Sequence, residues 1–400
     1  MARAVNRKTF VVLAVFVVVG LIFQQWLFPS KLTRDQRLNG TVVNFSALHG
    51  QRKDSYEEGI VKVVLLYTPL FGKRPWPGLS NDHDFTHPDN IPCRVQSCRI
   101  TYDRNDLLIS DAVLFHGMDL PSATDMKNIP KNKPSKQRWI FFMHESPKIT
   151  PFDQVLYNGF FNWTMTYRKD SDFFVPYRFY IRLDPEEVAH RQTEITNYAE
   201  GKDKLAVWSV SHCGLLRDDF VRKLTKYINV DIFGASSKLF NQFETCPRSS
   251  SACRQKLMRY KFYLAFENAF CVDYITEKYW YTPFDHNMIP VVMGGAAYED
   301  PGLTIPGSFI NAANFPSVEA LAKYLLFLDS NDTAFNEYFS WRKEFKPVKT
   351  PESWTCRVCA ALHNNSLPAK VYNDLDHFWG EEASCGNKEE KIRKLIEQRD

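Results

Sequence analysis

The sequence predicts an α/β protein of two units, each a mainly parallel sheet covered by helices on both faces, set behind an N-terminal membrane anchor and a stem. Three observations predict it. Apolar runs of strand length alternate with turn-rich or helical segments, and the pattern occurs twice in a chain of 400 residues, a length that suits two domains. The runs are continuously apolar, as in strands buried on both faces. Residues 10–28 carry no charge at all.

That N-terminal run, FVVLAVFVVVGLIFQQWLF, has nineteen residues. As a helix it would be about 28 Å long, close to the thickness of a bilayer core. A cleaved signal peptide is the rival reading, because the cleanest stretch, residues 10–23, has only fourteen residues. No small-x-small cleavage site comes after Phe28, which favours an uncleaved signal-anchor. Arg3, Arg7 and Lys8 before the span nearly balance Lys31, Arg34 and Arg37 after it. The rest of the chain decides the orientation. Everything foldable lies beyond the span, with five N-x-S/T sequons at Asn39, Asn44, Asn162, Asn331 and Asn364, as in a lumenal chain. The expected order is a cytoplasmic tail (1–9), a single-pass type II anchor (10–28), a polar stem (29–60), a first α/β domain (61–190), a second (191–345) and a C-terminal segment (346–400).

In the first domain, residues 62–68 (KVVLLYT), 111–116 (DAVLFH) and 139–143 (WIFFM) read as buried strands. In the second, residues 205–210 read as a strand and residues 217–227 as an amphipathic helix, with Phe220, Val221, Leu224 and Tyr227 on one side. Further strands lie at 230–233, 263–266 and 289–293, the last ending at Gly294 and Gly295. Residues 318–328 form an amphipathic helix with Ser317 placed as its cap. Two such units put a ligand cleft between them, near the carboxyl ends of their strands. Residues 386–400 are mostly charged with one weak stripe, Ile392, Leu395 and Ile396, and read as a solvated helix or frayed tail.

A net charge of +4 gives no argument for nucleic acid as a partner. Nine cysteines suit an oxidising lumen and leave one over. Cys246 and Cys253 could close a local loop. Cys356-x-x-Cys359 with His363 beyond could be half a zinc site, but a second close pair is less evident, and a disulfide is the favoured reading. Two D-x-D patterns, Asp82-x-Asp84 and Asp170-x-Asp172, have the oxygen ligands Mg²⁺ or Mn²⁺ prefers. The first lies in a proline-rich stretch, and catalytic metal binding is not the reading taken for either.

The segment 260–295 is the most informative. A strand ends near Phe266, placing Glu267 and Asn268 at its carboxyl end. Thr276 can then cap a helix whose first turn holds Glu277 and Lys278. Free N–H groups and a lysine there suit a diphosphate, while an exposed Glu–Lys pair is the plain alternative.

FENAFCVDYITEK (266–278) resembles the signature of the α1,3-fucosyltransferase family, FEN followed by DY-[IV]-TEK, and PVVMGG (290–295) is similar to its next strand. Upstream, in the family's order, lie CRITYDR (98–104), HESP (144–147), FNWTMTYRKDSDFFVPY (161–177) and KYINVDIFG (226–234), so the resemblance covers roughly residues 62–360. It implies a GT-B-like arrangement of two Rossmann-like domains facing a central cleft, the second binding the donor. It also implies a Golgi membrane enzyme that moves L-fucose from GDP-fucose in α1,3 linkage to GlcNAc of a glycoprotein glycan, inverting the anomeric centre in one displacement.

Carried onto this sequence, the resemblance gives Lys278 and Arg217 to the donor phosphates, Glu277 to fucose or ribose hydroxyls, and Asn268 and Tyr274 to the lining of the nucleotide-sugar site. HCGLLRDDF departs from the commoner pattern around Arg217. Glu145, just past an apolar strand, would be the general base that takes the acceptor's proton. His144 beside it would orient it or be a plain loop histidine. The YRKDSD motif implies no obligate metal, and Mn²⁺ or Mg²⁺ would only stimulate. The family's C-terminal C-x-x-C pairs with cysteines near the start of the first domain, which points Cys356 and Cys359 to Cys93 and Cys98 with connectivity open. A non-catalytic glycan-binding Golgi protein on the same scaffold is the alternative. Which GlcNAc accepts, antennal or core, rests on loops 71–110 and 117–137, which no rule of spacing reads. A homodimer through the anchor or stem is compatible with the sequence.

Overall fold

The computed structural model describes residues 60–80, 93–129, 134–247, 250–350 and 353–398. The proposed anchor, most of the stem, the sequons at Asn39 and Asn44, and Asp82-x-Asp84 lie outside these. Among the described residues no helix is long and apolar enough to cross a membrane.

The first sheet is parallel and six-stranded. It contains β1 (Lys62–Leu66), β2 (Cys98–Thr101), β3 (Ala112–His116), β4 (Arg138–Met143), β5 (Trp163–Thr166) and β6 (Phe173–Phe174), in the order β2-β1-β3-β4-β5-β6. After β7 (Phe179–Arg182) comes a second parallel sheet. It holds β8 (Lys204–Ser209), β9 (Val230–Phe233), β10 (Tyr260–Phe266), β11 (Ile289–Met293) and β12 (Ile310–Asn311), in the order β12-β11-β10-β8-β9. Every residue of β3, β10 and β11 is buried, which is why their runs show no polar alternation. The exceptions are paired, Lys261 with Asp329 and Asp332 and His116 with Asp119. The helix Leu216–Leu224 presses Phe220, Val221 and Leu224 on the second sheet. The helix Val318–Asp329 adds Val318, Leu321 and Leu325, and Ser317 Oγ caps it by accepting from Ala320 N at 3.0 Å.

Two elements cross the expected divisions. β13 (Phe345–Val348) pairs antiparallel with β7, so the chain returns to the segment that joins the two sheets. The C-terminal segment is then bonded to the first domain by Cys93–Cys356 and Cys98–Cys359. Both cysteine pairs sit in one buried cluster with Ile100, Leu114 and Ile140. Cys246–Cys253 closes a local loop, and Cys213 is free and exposed. A fourth bridge, Cys271–Cys385, is not legible in the sequence and ties the chain's end to the loop after β10. Replacing Cys93, Cys98, Cys356 and Cys359 together by serine opens both bridges over the same long loop and is expected to cost about 2–5 kcal/mol. A thermal melt of the variant beside the parent checks it, and an unchanged midpoint would show that the bonds do not restrain the unfolded chain.

The expectation of a solvated tail is corrected. The helix Glu390–Glu397 buries Ile392 and Leu395 in the core of the second domain, and Lys223 donates to Ile396 O at 3.0 Å and to Leu395 O at 3.4 Å. Each of those two side chains is worth about 1.5–3 kcal/mol on burial. A weak stripe suffices because only one narrow face is covered.

Candidate active site

Glu145 lies two residues beyond β4 and Asn268 two beyond β10, both at carboxyl ends of central parallel strands. The loop after β10 leaves its own domain. Ala269, Cys271 and Tyr274 pack in the same buried cluster as Phe115, Phe141 and Trp379. This carries Tyr274 to Glu145, whose Oε2 accepts from the phenol at 3.4 Å. Glu145 is half-buried, and that burial raises its pKa above the usual carboxylate range. The Lys278 ammonium pulls the other way and Glu277 adds to the rise, so these residues share one field.

Lys278 itself is nearly enclosed. Its Nζ donates to Thr276 Oγ1 at 2.8 Å, Glu267 Oε2 at 3.1 Å and Glu277 Oε1 at 3.4 Å. Burial works to lower its pKa, but the Glu267 and Glu277 carboxylates outweigh it and hold the ammonium protonated. The helix expected from Thr276 is short: Glu277–Trp280 makes one turn, and a second turn, Thr282–Asp285, with Pro283 as its second residue, follows a break at Tyr281. One turn has few aligned peptide dipoles, so the positive charge here comes from Lys278 rather than from a helix end.

Arg217 is buried at 4% exposure. It donates to Phe266 O and His212 O, both at 3.0 Å, and lies over the Trp208 ring. Its Nε has no partner, and no described carboxylate forms an ion pair with it. Burial lowers its pKa, though a guanidinium remains charged. Asn268 Oδ1 is likewise buried without a partner. A buried cation whose hydrogen bonds go only to carbonyls, beside an unpaired amide oxygen, is a site suited to a polar anionic ligand.

The other candidates read from the sequence fall into place differently. His144 is neutral: its pKa is pushed down to about 4, chiefly by burial. Its ring stacks on Tyr177 and its Nε2–H donates to Val175 O at 2.7 Å, a loop-holding contact. Asp172 accepts from Thr164 N, Lys370 Nζ and Tyr372 Oη, and Asp170 pairs with Arg168, so both carboxylates of this D-x-D serve structural partners. The tight Cys98, Cys359 and His363 grouping has its two sulfurs in a disulfide. The expected glycan site Asn162 is buried in the fold: its Nδ2 donates to Lys370 O at 2.8 Å and its Oδ1 accepts from Trp139 N, so a sugar there would require this side chain to leave both contacts. Asn331 caps the helix Asp332–Glu337, and Asn364 holds a turn through Ser366. Tyr167 and Tyr177 carry no local signal as site residues, because their nearness to Glu145 is a product of folding; Glu267 stands at the expected strand end, but its contact with Lys278 is not legible there.

Residues 60–178 match the family model for the fucosyltransferase N-terminal region, and residues 199–379 match that for the C-terminal region of glycosyltransferase family 10. The chain belongs to this fucosyltransferase family. It is 34% identical over 342 residues to glycoprotein 3-alpha-L-fucosyltransferase A of Drosophila melanogaster, covering 83% of this chain and 63% of that protein. It is 31% identical over 376 residues to alpha-(1,3)-fucosyltransferase C of the same fly, covering 87% and 84%. It is 32% identical over 360 residues to alpha-(1,3)-fucosyltransferase 4 of Mus musculus, covering 80% and 79%. These relatives place this family 10 chain among the α1,3-fucosyltransferases.

In this family 10 chain, Gly295 fixes the loop that carries Asn268. A Cβ there would lie 2.3 Å from the Phe270 carbonyl carbon and 2.6 Å from Cys271 N. Gly295→Ala must therefore displace backbone, and is expected to cost about 1–3 kcal/mol and to raise the donor KM. A melt and a donor titration check it; parent values in both would mean the loop yields freely.

Proposed function

We propose that the chain transfers L-fucose from GDP-fucose in α1,3 linkage to GlcNAc of a glycoprotein glycan, on a GT-B-like pair of domains. The observation that carries this is the meeting of Glu145 with Tyr274 and the Lys278 charge across the two sheets. The diphosphate would lie between Lys278 and Arg217, with Asn268 and Glu277 on the sugar and ribose side. Glu145 takes the proton of the acceptor hydroxyl as its oxygen attacks C1 of fucose. The C1–O bond breaks on the opposite face, and its electron pair leaves with GDP. The two cations stabilise the charge that develops there. A divalent metal would stimulate rather than be required.

The acceptor would enter over the first domain. There Asp119 accepts from Phe71 N at 2.7 Å and Gly72 N at 2.9 Å and pairs with His116, so residues of both acceptor loops are held together. Four disulfides and the uncharged run at residues 10–28 support placement as a type II protein with its catalytic region in the Golgi lumen.

The test is transfer of labelled fucose from GDP-fucose by the full chain in detergent, offered antennal and core N-glycans, with and without EDTA. Transfer to one acceptor class establishes the reaction and names the substrate. Activity in EDTA removes an obligate metal. No transfer to either class, from protein whose melting temperature GDP still raises, overturns the transferase reading in favour of a glycan binder.

A further inference from the structure

Glu267 is a fully buried carboxylate at the carboxyl end of β10, and the transfer step above leaves it unused. Its backbone N donates to Met293 O at 2.9 Å, which locks it to β11. Oε1 accepts from Thr276 N at 2.8 Å, and Oε2 accepts from Lys278 Nζ at 3.1 Å. Thr276 Oγ1 lies within 3.0 Å of both oxygens and itself accepts from Lys278 Nζ. The roof is glycine: a Cβ on Gly294 would stand 3.3 Å from Glu267 Cγ. The same carboxylate is the foremost opposing charge acting on Arg217.

Such an arrangement is costly for a fold. Burying a carboxylate costs several kcal/mol, and one ion pair repays this only in part. An apolar side chain would end β10 at lower cost, so the stability of the sheet does not account for a glutamate here. Its contacts do. Of the three groups that hold the Lys278 ammonium, Glu267 and Thr276 are fully buried, and Glu277 is the partly exposed one with the longest contact. A phosphate can replace Glu277 without disturbing the other two.

We propose that Glu267 is a positioning residue for fucose transfer, whose buried carboxylate, with Thr276, fixes the Lys278 ammonium where negative charge develops on the leaving diphosphate. This rests on the donor-site reading above. It differs from donor binding in one respect. Glu267 is itself negative, so it opposes ground-state attraction of the diphosphate while setting the geometry of the charge that meets it. Removing it must therefore separate binding from turnover.

Glu267→Gln in the full chain is expected to lower kcat about tenfold or more, with donor KM and GDP affinity within about threefold of the parent or tighter. In a Lys278→Ala background the same exchange should lower kcat by less than about threefold, because its effect runs through the lysine. A parent-like kcat in Glu267→Gln overturns the proposal, as do equal losses in both backgrounds. Should Glu267→Gln not fold, Glu267→Asp, which keeps the charge but shortens its reach, is expected to fold and show the same split. Failure of both to fold makes the residue part of the fold alone and also overturns the proposal. Lys278→Ala with unchanged GDP affinity would strike the donor-site reading itself. A weakened Lys278→Ala beside a normal Glu267→Gln would strike only Glu267.

Discussion

Glu145→Gln should lower fucose transfer by about 10²–10⁴-fold while leaving GDP affinity nearly unchanged. Glutamine keeps the shape and can still meet the Tyr274 phenol, but it cannot take a proton from an acceptor hydroxyl. No hydrogen bond that holds Lys278 comes from this side chain, since the ammonium is held by Thr276, Glu267 and Glu277. Turnover is read with saturating donor and acceptor, and GDP binding by thermal shift or calorimetry. A variant that retains most of its turnover would remove Glu145 as the base. The pH profile gives an independent check. Burial raises the Glu145 pKa, partly opposed by Lys278. The base must be ionised to work, so activity should fall as pH drops through that raised value. The acid limb therefore lies above the usual carboxylate range of about 4.3, and it should vanish in the residual activity of Glu145→Gln. An acid limb unchanged in the variant would belong to another group.

The strands that frame this site are legible because they are buried on both faces. β3, β10 and β11 have no exposed residue, so their sequences are apolar runs broken only by Lys261 in β10 and His116 at the end of β3. β2 escapes a reading by pattern because it is four residues long and carries an exposed Arg99. β7 and β13 escape it because each is completed only by the other across the chain. Glu145 and Tyr274 stand 129 residues apart in sequence, and their meeting depends on a loop of one domain packing into the core of the other. No local pattern encodes that; the family resemblance supplies the residues, and folding brings them together. Asn162 shows the reverse. Its sequon is local, but its buried contact with Lys370, 208 residues away, decides what the amide does.

Lys278→Ala is expected to weaken GDP binding and turnover by about 10²–10³-fold, corresponding to loss of one charged donor at a desolvated anion site. It carries a second consequence that must be separated from the first. Alanine leaves Glu267 buried without its cation, a change that typically costs about 3–5 kcal/mol. Glu267 already has its pKa raised, chiefly by burial, and losing Lys278 pushes it further up. The protein should therefore melt earlier. GDP must therefore be titrated well below the new melting point, and its affinity compared with that of guanosine, which lacks the diphosphate. The Lys278 loss should appear in GDP and not in guanosine. Lys278→Arg sharpens the argument: it keeps the charge, but its planar fork cannot sit between Thr276 Oγ1 and Glu267 Oε2 as the ammonium does. Arginine should thus recover part of the affinity and little of the turnover. Equal GDP affinity in parent and alanine variant would take Lys278 out of the phosphate site. The diphosphate would then fall to Arg217, whose guanidinium is buried with its Nε unpartnered.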